Sequence, residues 1–178
     1  MKRVVYYAAC SLDGYIAGRN GDISMFVKKG SVSEHYRREM ECFDTVIMCR
    51  QTYEFGYGYG LRPGQPACEN MKHFIFSNSL TFDEAHPDVK VLPPTPEAVA
   101  LLKEGAGRDI YLCGGGPFAG WLLESGLIDV LKLRVNPVIL GGGAPLFGNS
   151  PKTARLDLVR SIACDHGVQI NEYRVTAS

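Results

Sequence analysis

The 178-residue chain has no excess of either charge: 19 Lys and Arg residues balance 19 Asp and Glu residues. It therefore has no general field to steer nucleic acid or anionic lipid, and no local basic patch takes its place, so neither partner is expected. No segment approaches the roughly 18 apolar residues of a membrane span. The apolar start from Val4 to Cys10 is interrupted by Asp13, too early for a secretory signal. The six cysteines (10, 42, 49, 68, 113 and 164) include no C-x-x-C and no paired spacing. Reduced thiols in a cytoplasmic protein are expected rather than a disulfide framework. His35, His73, His86 and His166 lack metal-ligand spacing, and neither Gly-x-Ser-x-Gly nor a P-loop occurs.

What is present is the composition of one globular domain spanning 1–178, 46% hydrophobic and 21% charged. Arg3 to Cys10 and Thr45 to Cys49 read as strands buried on both faces. Short strands follow at His73–Phe76, Val89–Leu92 and Asp109–Cys113, and Val130–Val135 is another. Ser31 and Glu34 fit a capping box for a helix over Val32–Cys42. Thr95-Pro96-Glu97 opens a helix running to about Glu104, and Pro117 opens one that ends near Gly126. The last two strands, about Leu156–Cys164 and Val168–Val175, form a hairpin across Asp165-His166-Gly167. Strands and helices that alternate and then end in a hairpin predict an α/β domain with a mixed sheet.

Two strand ends carry groups suited to phosphate. Residues 109–117 run from a strand through Gly114, Gly115 and Gly116 into a helix start, where backbone can approach an anion closely. Gly114, Gly116 and Ala119 also satisfy G-x-G-x-x-G/A. A Rossmann fold would need that turn after the first strand, where Asp13-Gly14 stands instead. At the end of the second buried strand, Arg50 offers a planar fork of donors and Thr52 a hydroxyl. Asp13 is either a substrate ligand or a turn aspartate. Tyr57 and Tyr59 either wall a flat heterocycle or anchor their own loop.

The order of these motifs resembles the dihydrofolate reductase superfamily. It looks most like the small bacterial proteins related to the reductase domain of the bifunctional riboflavin-biosynthesis protein. The resemblance is carried by residues 9–17, 46–53, 74–77, 110–116, and 137–141 with 145–147. It implies a dihydrofolate reductase-like three-layer α/β fold, with a central mixed, mostly parallel sheet and an antiparallel C-terminal strand. The cofactor it implies is NADPH. Arg50, Thr52 and Ser77 would hold its adenosine-side phosphates, and Gly114, Gly115 and Gly116, with a cis Gly114–Gly115 bond, its pyrophosphate.

By the same resemblance, Ala9 and Ile16 would line the nicotinamide site, with Leu12, Asp13, Leu146 and Phe147 facing the substrate and Asp13 as candidate proton donor. The helix carboxylate of a true dihydrofolate reductase falls at Ser33 here, and the glutamate that often precedes the glycines is Cys113. The implied activity is reduction of a pterin-like or aminopyrimidine-like small molecule by a homodimer. A non-catalytic NADP(H)-binding sensor or partner subunit is the alternative.

Overall fold

The computed structural model describes residues 1–176. In chain order its elements begin with β1 (Val4–Ser11), β2 (Tyr15–Ala17), α1 (Ser31–Met40), β3 (Phe43–Cys49) and α2 (Arg50–Phe55). Then come β4 (Lys72–Phe76), β5 (Val89–Leu92), α3 (Pro96–Glu104), β6 (Asp109–Leu112) and α4 (Gly116–Glu124). The chain closes with β7 (Val130–Asn136), β8 (Ala144–Pro145), β9 (Arg155–Ala163) and β10 (Gln169–Thr176). No helix among the described residues is long and apolar enough to cross a membrane.

Eight strands form one sheet in the order β5-β4-β3-β6-β1-β7-β10-β9. The six from β5 to β7 are parallel, and β10 runs antiparallel to both β7 and β9. β1 lies inside the sheet and is covered on both sides, which is why it reads as an apolar run rather than an alternation. Val4 and Tyr6 face the layer of α3 and α4, packed with Val99, Leu112 and Leu122. Val5 and Tyr7 face the opposite layer, with Val46, Met48, Tyr53 and Tyr36 of α1. Each fully buried side chain of this size contributes about 1.5–3 kcal/mol.

The short pair β2–β8 was not foreseen, because strands of three and two residues are too short to show a period. It pins the turn after β1 to the segment before Leu146, whose N–H donates to the Gly14 carbonyl.

Helix α3 begins as the sequence predicts, with Thr95 Oγ1 accepting from the Ala98 N–H. Helix α1 does not. Ser31 is its first residue, after Gly30, and no local capping box forms. The carboxylate of Asp165, in the β9–β10 turn, accepts the Ser31 N–H at 3.0 Å, and Ser31 Oγ accepts the Asp165 N–H at 2.9 Å. A tertiary acceptor at the positive end of the helix has displaced the local one. Lys132 of β7 then fastens α1 and β10 from below, paired with Glu39 and with Glu172.

At the amino ends of the strands, buried Lys2 donates to Asp44 and Thr45, each at 2.6 Å. Burial pushes the Asp44 carboxyl up, but hydrogen bonds from Lys2, the Arg108 N–H and Thr45 outweigh it and hold it at about 2. A carboxylate depressed in the folded state stabilises fully above its unfolded value of about 3.9, and the contribution disappears as pH falls through about 2. Asp44→Asn is expected to cost on the order of 1–2 kcal/mol at pH 7, reduced by the partial exposure of Asp44. Thermal melts from pH 7 to pH 2 should show a shallower acid-side fall in the variant than in the wild type.

Candidate active site

Beyond Tyr7, β1 carries two small residues, Ala8 and Ala9, and the sheet surface above them stays open. Consecutive crossovers also diverge here: the chain leaves β1 toward β3 on one side and leaves β6 toward β7 on the other. Such a point at the carboxyl ends of parallel strands is where open α/β sheets bind ligands. A cleft of about 370 Å³ occupies it. Its floor is Ala8, Ala9 and Gly114, and its walls are Tyr36, Tyr111, Ile16, Ile23, Phe26 and Arg134.

The segment over the cleft is tied down rather than loose. Asn136 Oδ1 accepts the Val27 N–H at 2.9 Å, while its amide donates to the Cys10 carbonyl at 3.3 Å. The phenols of Tyr36 and Tyr111 meet at 3.3 Å. Burial pushes both above the usual phenol range, so at neutral pH they stay protonated and offer O–H groups to a ligand.

Next to the cleft the ends of β3 and β6 converge. Gly115 sits at φ +28°, and a Cβ there would lie 3.0 Å from Thr52 Oγ1 and 3.4 Å from Cys49 Sγ. A backbone loop is thus laid directly on the first turn of α2, against the Thr52 hydroxyl. The Gly114–Gly115 bond is trans, as is every peptide bond among the described residues, which corrects the cis expectation. The chain reverses instead through positive φ at Gly114 (+103°) and Gly115, conformations open to glycine without a Cβ clash.

Arg50 is half exposed at the start of α2, its Nε donating to Glu54 at 2.7 Å and an Nη to Ser79 Oγ at 3.1 Å. Ser77 Oγ accepts the N–H groups of Ser79 and Leu80, so it builds the turn that presents Ser79 to Arg50. Ser79 was missed in the sequence. The spacing Ser-x-Ser after a strand was its only signal.

Four of the residues expected at the substrate do not line this cleft. Ala9, Ile16 and Gly114 line the cleft, but Leu12, Asp13, Leu146 and Phe147 do not. Leu12 is exposed. Leu146 accepts from Tyr6 Oη at 2.9 Å through its carbonyl, and Phe147 packs edge-on against the Tyr6 ring. Both stack under α4. Asp13 is a turn aspartate whose carboxylate accepts the N–H groups of Leu140 (3.1 Å) and Gly141 (2.8 Å). Its hydrogen bond with Ser11, aided by those two N–H groups, lowers its carboxyl to about 2. At neutral pH it carries no proton to give. Tyr57 packs against Tyr53, and Tyr59 against Phe55, so both belong to their own loop.

The cleft residues that sequence reasoning missed include Tyr7, Lys28, Tyr36, Tyr111 and Arg134. Ser33, the position where the resemblance puts a carboxylate, does line the cleft. The signal for Arg134 was the pattern Lys132-Leu133-Arg134, which places two cations on one face of an interior strand. All six cysteines are free. Burial raises the thiols of Cys113, of Cys10 (to about 11) and of Cys68 (to about 12), so these three are packing groups and not nucleophiles. No His, Cys, Asp and Glu group among the described residues could hold a metal.

The position of Asp13 makes a direct forecast. In Asp13→Ala the Leu140 and Gly141 amides should exchange with solvent about tenfold faster or more, and in Asp13→Asn, which keeps one acceptor, by less. Unchanged exchange in both variants would show that the carboxylate does not hold this loop.

Comparison with known proteins agrees with the geometry. The RibD C-terminal domain family matches residues 2–170. The uncharacterized protein YwjB of Bacillus subtilis (strain 168) is 29% identical over 175 residues, covering 97% of this chain and 98% of that one. Among solved structures, a Shewanella sp. PV-4 protein provisionally named for riboflavin biosynthesis superposes with TM-score 0.81 at 24% identity, covering 99% of this chain and 100% of that one. Dihydrofolate reductase from Enterococcus faecalis, complexed with NADP(H), superposes with TM-score 0.70 at 16% identity, covering 98% and 97%. The α/β fold is dihydrofolate reductase-like, and with its family match along nearly the whole length the chain belongs to the RibD C-terminal domain family.

Proposed function

We propose that this protein is an NADPH-dependent reductase of a pyrimidine-like or pterin-like small molecule. The observation that carries the reading is one cleft joining Ala9, Ile16 and Gly114 to aromatic walls, beside a glycine loop laid on the Arg50–Thr52 turn. The residues fit a dinucleotide. Gly114 to Gly116 and Thr52 would take its pyrophosphate, and Arg50 with Ser79 the phosphate on its adenosine side. Ala9 and Ile16 would pack on the nicotinamide. The bound cofactor supplies the hydride. The protein's share is orientation, exclusion of water by the 23–28 segment, and a proton held on the Tyr36–Tyr111 phenol pair or on water they order. Asp13 is assigned a positioning role through the 138–141 loop.

A homodimer belongs to this reading. β9 is a nine-residue edge strand almost wholly exposed, with Leu158 59% and Val159 54% accessible, and such an edge is a ready template for pairing with a second chain. The second reading, cofactor binding without turnover, is favoured by one observation: no Asp or Glu lines the cleft.

Titration with NADPH, followed by nicotinamide fluorescence, tests the proposal. Arg50→Ala should weaken NADPH binding about tenfold, equivalent to about 1.4 kcal/mol, and NADH binding by less. Absence of binding by either nucleotide would sink the reductase reading. Cofactor oxidation with dihydrofolate or aminopyrimidine ribityl compounds then separates an enzyme from a sensor.

A further inference from the structure

Strand β7 presents two cations to the α1 face, two residues apart, and treats them differently. Lys132 is buried and neutralised, paired with Glu39 and with Glu172. Arg134 has no such partner. Among the described residues it forms no ion pair and no hydrogen bond through its side chain, and its Nε is buried without an acceptor. What holds it is the aromatic wall. The guanidinium lies 4.4 Å from the Tyr36 ring centroid and 5.6 Å from that of Tyr7.

Stacking of this kind fixes the plane of the guanidinium and leaves its N–H fork free for an acceptor in that plane. An orphaned buried donor is costly and so marks a place where a partner is missing. Tyr7 Oη, close by, is likewise buried without a partner. Both residues line the cleft, Lys28 adds a second positive charge to its lining, and no carboxylate answers them there.

We propose that Arg134 and Tyr7 form a subsite for the acceptor edge of a flat heterocycle, either a carboxylate or a pair of ring carbonyls. By the same charge the cleft disfavours rings that present an amidine or guanidine edge. This deepens the reductase reading and rests on it for the flat heterocycle. It makes Arg134 the residue that selects among such rings. An aminopterin-type edge, which offers N–H donors and gains a proton easily, meets cations, phenols and the Ser33 hydroxyl here, and no carboxylate. A dione or a carboxylate meets a prearranged planar fork.

Isothermal titration of the cofactor-free protein with orotate, uracil and 2,4-diaminopyrimidine tests this. Orotate is expected to bind at least tenfold more tightly than 2,4-diaminopyrimidine. Uracil binding within a few-fold of orotate assigns the subsite to ring carbonyls, and much weaker uracil binding assigns it to a carboxylate. Arg134→Met should abolish the preference, and Arg134→Lys should restore part of it without the fork geometry.

If Arg134→Met does not fold, the side-chain Nε–H resonance of wild-type protein that is missing from Arg134→Lys must shift on adding orotate. Equal or tighter binding of 2,4-diaminopyrimidine overturns the proposal. So does a preference that survives in Arg134→Met, or no orotate binding at millimolar concentration. NADPH titration of the same preparation keeps the two readings apart. Bound NADPH with the wrong probe order refutes the subsite alone, and the right probe order without NADPH binding refutes the reductase alone.

Discussion

A parallel strand with both faces covered must draw all its hydrogen bonds from its two neighbours and all its packing from two opposite layers. β1 is that strand. Paired with β6 and β7, it sends Val4 and Tyr6 toward α3 and α4, and Val5 and Tyr7 toward α1. The large side chains occupy its first half and the small ones, Ala8 and Ala9, the second. The same strand therefore nails the layers together at one end and leaves the sheet surface bare at the other. The cleft exists because packing volume runs out along β1 before the hydrogen-bonded ladder does.

The position of α1 determines what that bare surface meets. Its amino end is held by Asp165 from the β9–β10 turn, and its carboxyl half by Lys132 through Glu39. Each tie joins residues more than ninety positions apart, and together they hang Ser33 and Tyr36 over the cleft. Pairing Lys132 with two carboxylates leaves the neighbouring Arg134 the unneutralised cation of that strand. The wall is therefore positive and aromatic.

A second dependence runs through α4. A Cβ at Gly116 would overlap the Pro145 carbonyl, and one at Gly120 the Phe147 carbonyl. The helix can approach the 145–148 segment backbone to backbone only because both positions lack side chains. That contact sets Leu146 and Phe147 under α4, against Tyr6, and so keeps them out of the cleft.

Much of this was legible in the sequence. Burial on two faces writes an apolar run, so β1, β3 and β6 were visible, and local chemistry at Thr95, Pro96 and Glu97 marked α3. The glycines after β6 and Arg50 after β3 announced strand ends fit for phosphate, because those features depend on neighbours within a few positions. The rest needed the assembled fold. Ser31 and Glu34 offered a local cap, yet Asp165 came from across the chain and took the place. Asp13 was a candidate proton donor, and in the fold its hydrogen bond with Ser11, aided by the Leu140 and Gly141 N–H groups, holds it ionised. Nothing along the chain says what Arg134 packs against, and only the tertiary structure laid it on Tyr7 and Tyr36 with its Nε lacking an acceptor. Periodicity and turn residues report the nearest neighbours of each residue along the chain, whereas the charge state and pairing of a side chain belong to whatever the fold brings beside it.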